Sequence, residues 1–227
     1  MLKEILALWR DDEPMKQVLQ QLGQMVSDAA YVFVRGIEVC RGQAVPDASR
    51  PPVQQRDTAV NEGERAVRRM LVRHLDANPG KDVSGCLAIM IMAKDIERLG
   101  DHARNIFELA ARAGAPLTGY RLLPRLDAVA ERMIPMLDVL RQAITDSSEE
   151  RAHQVLGEYQ KLKKELKEIQ GGLFLSDLQG EEAVACTLLT RYLMRINAHA
   201  ANAASAVMFP LENIDFVGRG LREELEH

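Results

Sequence analysis

Residues 89–110 read IMIMAKDIERLGDHARNIFELA, and this stretch decides the fold. Ile89, Met92, Ile96, Leu99, Ala103, Ile106 and Ala110 recur at alternating spacings of three and four, the apolar stripe of an amphipathic helix. Glu97, Asp101 and Asn105 form a second stripe four residues apart, so two carboxylates and an amide point one way on successive turns. Gly100 sits between the two acids, where glycine costs roughly 1 kcal/mol against alanine inside a helix. That cost predicts a close approach of another element at Gly100.

The run Glu97-Arg98-Leu99-Gly100-Asp101-His102-Ala103-x-Asn105-Ile106 resembles the E-R-[IL]-G-D-H-x-x-N-I signature of the PhoU family of phosphate-signalling regulators. The resemblance implies an all-α protein of six long helices, arranged as two tandem three-helix bundles, in which E(D)-x-x-x-D motifs bind metal ions. It further implies action through contacts with a phosphate ABC transporter and a sensor histidine kinase, damping the phosphate-starvation response when phosphate is plentiful. The alternative within the resemblance is an accessory PhoU-domain protein of a sodium/phosphate cotransporter or another anion transporter.

Composition agrees with helices. Hydrophobic residues make up 47% of the 227, yet aromatics only 4%, and Ala, Leu, Met, Arg, Glu and Gln dominate. The net charge of −4 comes without a dense Lys/Arg cluster, which speaks against direct nucleic-acid binding. Cys40, Cys86 and Cys186 are isolated in apolar runs and read as core residues of a reducing compartment. No signal peptide or membrane-spanning run stands out, so the expectation is a cytoplasmic protein that reaches a membrane only through partners.

Taken in order, Met1 to Trp9 forms a short amphipathic lead. A first helix opens near Pro14 and runs to about Arg41, with Met15, Val18, Leu19, Leu22, Met25, Val26, Ala29 and Val32 as its stripe. Gly42 to Pro52 reads as a connection, and a second helix spans roughly Val53 to Leu75 before Asn78-Pro79-Gly80. The third opens with Asp82 as N-cap and ends near Ala113, followed by a midpoint loop from Gly114 to Gly119. The fourth runs from about Tyr120 to Ile144 with Pro135 predicted to kink it. The fifth opens on a capping box from Ser147 to Glu150 and reaches Gly171-Gly172. The sixth covers about Glu181 to Phe209, where Pro210 stops it.

The halves repeat. A shift of 97 residues sets Arg98, His102, Ala103 and Asn105 over Arg195, His199, Ala200 and Asn202. The division expected is residues 1–116 and 117–227. The second copy is degenerate, because Glu97, Gly100 and Asp101 align with Met194, Asn197 and Ala198. On the fifth helix a shift of 101 residues sets Glu158 and Glu165 over Asp57 and Glu64, with Leu162 in place of Asn61.

On the second helix Asp57, Asn61 and Glu64 fall at i, i+4 and i+7. The resemblance implies that Asp57-x-x-x-Asn61 faces the third helix as a partner motif, with Asn where an acid is usual. Together with Glu97 and Asp101 this gives four carboxylates and an amide, which repel unless a cation or protons lie between them. The expectation is one metal site in the first repeat, at Asp57, Asn61, Glu64, Glu97 and Asp101, for a divalent or trivalent ion. Iron, zinc, magnesium and manganese all remain open as its identity. His102 lies one residue off the stripe and reads as a supporting or packing group rather than a ligand.

Enzyme readings find no footing. No Glu has a His three residues on, as a ferritin-like di-iron site needs, and no P-loop, nucleophile elbow, GxGxxG or HExxH motif is present. His74 and His153 read as surface histidines. The small residues Ala198, Ala201, Ala203, Ala204 and Ala206, with Met194, suit close packing inside the chain first and a homodimer second.

Overall fold

A computed structural model describes residues 13–215; the N-terminal lead expected at Met1 to Trp9 lies outside them. Within them are six long helices: α1 Glu13–Cys40, α2 Pro46–Ala77, α3 Val83–Arg112, α4 Leu123–Thr145, α5 Glu149–Phe174 and α6 Gly180–Met208. Short 3-10 turns cover Leu117–Gly119 and Leu211–Asn213. No strand occurs among the described residues.

The stripes read from the sequence are the ones that are buried. All eight named apolar residues of α1 and all seven of α3 lie in one continuous core. Helices α1, α2 and α3 pack on one another, as do α4, α5 and α6. The two triplets join through α1 against α4 and α3 against α6, so the four pair at the centre while α2 and α5 flank it. Arg41 ties the α1–α4 contact at its rim, with Nε donating to Asp127 at 2.6 Å and Nη2 to Glu131.

Gly100 is where three helices converge. A Cβ there would come within 3.3 Å of Val60 Cγ1 on α2 and 3.7 Å of the Ala29 Cβ on α1, which accounts for a glycine in mid-helix. The alanines of α6 serve the same end: Ala201, Ala203, Ala204 and Ala206 are fully buried within the chain. Cys40, Cys86 and Cys186 are buried and unpaired, and burial pushes the Cys40 thiol up to about 12 and the Cys86 thiol up to about 11.

Several boundaries differ from expectation for identifiable reasons. Helix α2 begins at Pro46, seven residues before Val53, and runs through Pro51 and Pro52. Pro46 occupies the first helical position, where the missing N–H is harmless. The first turns are then held against α3 by Arg50, which donates to Glu108 at 2.8 Å and lies over the Phe107 ring at 5.5 Å. Helix α4 starts at Leu123 because a 3-10 turn at Leu117–Gly119 precedes it, and it continues through Pro135.

The α5 cap is Ser148, whose Oγ accepts from the Arg151 N–H at 3.3 Å, one residue later than the expected Ser147. The helix then carries through Gly171 and Gly172 to Phe174. Asp82 takes a left-handed conformation, φ 56°, and makes no side-chain cap; its carboxylate lies 3.2 Å from His74 Nε2. His74 is therefore buried, contrary to the surface position expected, whereas His153 is exposed.

Candidate functional site

The five acid and amide residues named from sequence do converge, along the seam between α2 and α3. Glu64 and Glu97 are buried, while Asp57, Asn61 and Asp101 are half-buried. What joins them is a set of cations that the sequence reading did not weigh. Lys94 Nζ donates to Glu97 at 2.8 Å and lies 3.8 Å from Glu64, so it bridges the two helices. Arg104 bridges them again further along the seam, 3.6 Å from Asp57 and 3.6 Å from Asp101. Arg68 closes on Glu64 at 2.6 Å, and Arg98 sits 3.7 Å from Glu97 and 3.6 Å from Asp101. The Asn61 amide donates to the carbonyl of Asp57 at 3.0 Å.

Four carboxylates thus meet four cationic side chains, and the seam is neutralised from within. The residual strain falls on Asp57: burial raises its carboxyl above the usual range, Arg104 opposes that shift, and Asp101 and Glu97 add to it. Among the described residues no group of three or more His, Cys, Asp or Glu side chains is arranged to hold a metal ion. The oxygen-rich donor set suits a hard cation chemically, but Lys94 and Arg104 stand where such an ion would bridge the helices. These residues as placed do not fit a metal. The interleaved Lys94, Arg98 and Arg104, three or four residues from the acids, were the available signal of a self-paired face.

A second polar cluster lies where α3 crosses α6. The buried Asp95 carboxylate is 2.7 Å from His199 Nδ1 and accepts from the Asn202 amide at 3.2 Å. Arg195 Nη2 lies 3.1 Å from His199 Nε2. Because the guanidinium can only donate, Nε2 is the acceptor, and the ring proton sits on Nδ1 and points at Asp95. His102 stacks on His199 with ring centroids 5.5 Å apart and faces Tyr192 at 6.2 Å. Burial, then His199, Arg195, Arg98 and Arg191, lower its pKa to about 4, and its Nδ1 has no hydrogen-bond partner. His102 is therefore a neutral packing group, consistent with its place off the acidic stripe.

Glu158 and Glu165 of α5, aligned by sequence with Asp57 and Glu64, both turn to Arg132 of α4, at 2.6 and 2.8 Å. They leave α6 facing a different set of α5 side chains, and no acidic seam repeats in the second half. No helix among the described residues is long and apolar enough to cross a membrane.

Comparison with known proteins agrees with the signature in α3. The family model described as the PhoU domain matches residues 47–110, which span α2 and nearly all of α3. Over 81 residues the chain is 35% identical to the phosphate-specific transport system accessory protein PhoU homolog of Caulobacter vibrioides. That alignment covers 35% of this chain and 34% of the relative, about a third of its length.

The fold is shared more widely. It superposes on the crystal structure of PhoU from Pseudomonas aeruginosa with a TM-score of 0.73 and 20% identity, covering 92% of this chain and 99% of the other. The phosphate transport system regulatory protein PhoU from Streptococcus pneumoniae gives 0.57 and 19%, over 93% and 97%. At these identities the likeness is one of fold, and it extends well beyond the 47–110 match.

Proposed function

We propose that this chain, which carries a PhoU domain and has the PhoU fold, regulates phosphate uptake and the phosphate-starvation response through contacts with other proteins. The observation that carries the reading is the match of residues 47–110 to the PhoU domain, together with a fold of the same kind over 92% of the chain. The Caulobacter relative is an accessory protein of a phosphate-specific transport system, which supports the same kind of partner here. The partners proposed are a phosphate ABC transporter and its sensor histidine kinase, met at the cytoplasmic face of the membrane.

In this reading the protein is a scaffold, and its chemistry is non-covalent. The α2–α3 seam locks the outer helix onto the central four through Lys94 and Arg104, while the Asp95–His199 contact locks the two triplets together. Both devices fix the outer surface on which a partner would dock. The test is capture of the transporter ATPase subunit and the kinase from host membranes by the tagged full-length chain. Retention of either protein above an unrelated helical control supports the proposal; recovery of neither at physiological salt sinks it.

A further inference from the structure

The face that α5 and α6 share is divided along its length, and both helices carry the same division. On α5, Lys163, Lys167, Gln170 and Phe174 fall at i, i+4, i+7 and i+11, one side of a helix. On α6, Val184, Leu188, Arg191 and Arg195 fall at the same spacings. Close to the α5–α6 connection, Leu173, Phe174 and Leu188 line an open groove of about 240 Å3. Further along, Lys163, Lys167, Arg191 and Arg195 line a second recess of about 150 Å3 between the same helices. Arg191 lines both, so they form one continuous surface, and no acidic residue lines either.

The apolar end is uncovered. Phe174 is 86% exposed, Leu175 91% and Val184 58%. Single exposed apolar residues are ordinary, but neighbouring ones beside a charged rim mark a contact surface.

The basic part lacks the acids that its counterpart has. At the α2–α3 seam Lys94 and Arg98 are met by Glu64, Glu97 and Asp101. The aligned cations on α6 are Arg191 and Arg195, but the acids beside them have become Met194 and Ala198, and Glu165 of α5 has turned to Arg132. None of the four cations forms an ion pair with an acid among the described residues: Lys163 lies over the Tyr159 ring at 5.1 Å, and Arg195 is held by His199. Charge complementarity is therefore left for another molecule to supply.

We infer that the α5–α6 face is the docking surface for an acidic amphipathic helix of a protein partner. Its apolar residues fill the groove beside Phe174 and Leu188, and its carboxylates lie along Lys167, Arg191, Lys163 and Arg195. Phe174 and Lys163 are eleven positions apart, roughly 16 Å along the helix, so the bound segment is about three turns long. The cations favour such a segment over a membrane, because Lys163 and Arg195 are half-buried in a recess, out of reach of a flat headgroup layer. The apolar end answers nothing on a nucleic-acid backbone. The inference rests on the reading that the chain acts through contacts with other proteins, and adds which face meets them and what kind of segment it takes.

The test measures binding of the purified full-length chain to the transporter ATPase subunit and to the cytoplasmic part of the kinase from the same host, and separately to vesicles containing phosphatidylglycerol. The variants are Lys167→Glu/Arg191→Glu and Phe174→Ser on the face, with Arg65→Glu/Arg69→Glu on α2 as control; all five side chains are exposed, and unchanged melting curves are expected. Wild type and control are expected to bind at least one of the two proteins alike, and each face variant to bind it about tenfold or more weakly. Face variants that bind as wild type does overturn the docking surface and leave the regulatory reading standing. A control weakened as much as the charge-reversed face also overturns it, since the attraction is then general. No binding of either protein by wild type overturns both readings. Vesicle binding that the face variants lose, with protein binding intact, assigns the face to lipid and overturns the inference.

Discussion

His102 and His199 stack on each other across the α3–α6 crossing, with ring centroids 5.5 Å apart and planes 17° from parallel. They are also 97 residues apart, the shift that sets the α6 sequence over that of α3. The contacts around them follow the same relation: His199 meets Asp95, and His102 meets Tyr192, the residue that aligns with Asp95. One acid on one side of the crossing thus separates a histidine with a carboxylate partner from one without.

That asymmetry predicts a stability profile. The His102 pKa is lowered to about 4 in the folded chain from an ordinary 6.5, burial being the main cause. Below pH 6.5 the unfolded chain takes up a proton that the folded chain refuses until about 4, so stability contributed by the neutral ring is present above 6.5 and is lost as pH falls through this window. Chemical denaturation of wild type and His102→Phe between those limits is the check. With solvent screening allowed for, the variant loses about 1–2 kcal/mol less than wild type across the window. Parallel profiles would refute the neutral state.

Two glycines give opposite outcomes for the same substitution. A Cβ on Gly36 would lie 3.0 Å from the backbone nitrogen of Phe107, which cannot move aside, so Gly36→Ala is expected to destabilise by about 1–3 kcal/mol. Gly171 lies inside α5 with nothing within 4 Å of its Cβ position, so Gly171→Ala is expected to stabilise by roughly 0.5–1 kcal/mol. Thermal melts of the two variants decide it, and equal shifts would contradict the packing described.

Much of this fold was legible because its stripes are long and regular. The seven apolar positions of α3 and the eight of α1 are all buried, and the glycine anomaly at Gly100 marked a true close approach. What misled was local: Pro46, Pro51 and Pro52 read as loop residues, yet they begin α2, because contacts of Arg50 on α3 outweigh the local turn signal. The candidate site was legible in position but not in charge. Asp57, Glu64, Glu97 and Asp101 stood out as a stripe, whereas Lys94 and Arg104 act across helices at distances no single-helix pattern encodes. Asp95 on Asn202 and His199 was invisible for the same reason, being more than a hundred residues away in the chain.

A metal entering the α2–α3 seam would have to compete with those two cations. A divalent ion placed among Asp57, Asn61, Glu64, Glu97 and Asp101 must displace Lys94 and Arg104 from their carboxylates. Lys94→Met/Arg104→Met removes the competitors and leaves the acids repelling one another. The double variant is expected to bind Mn2+ about tenfold or more tightly than wild type by calorimetry, and to gain more in melting temperature from the metal. Tighter binding by wild type would show that the seam opens to metal despite its ion pairs.

The regulatory account is tested most directly in the host. With the gene deleted and phosphate plentiful, the output of a phosphate-starvation promoter is measured beside wild type and a strain complemented with the full-length chain. The account predicts that the deletion strain expresses the starvation response under plenty and that complementation silences it again. A deletion strain whose promoter stays silent in plenty and responds normally to starvation would contradict it.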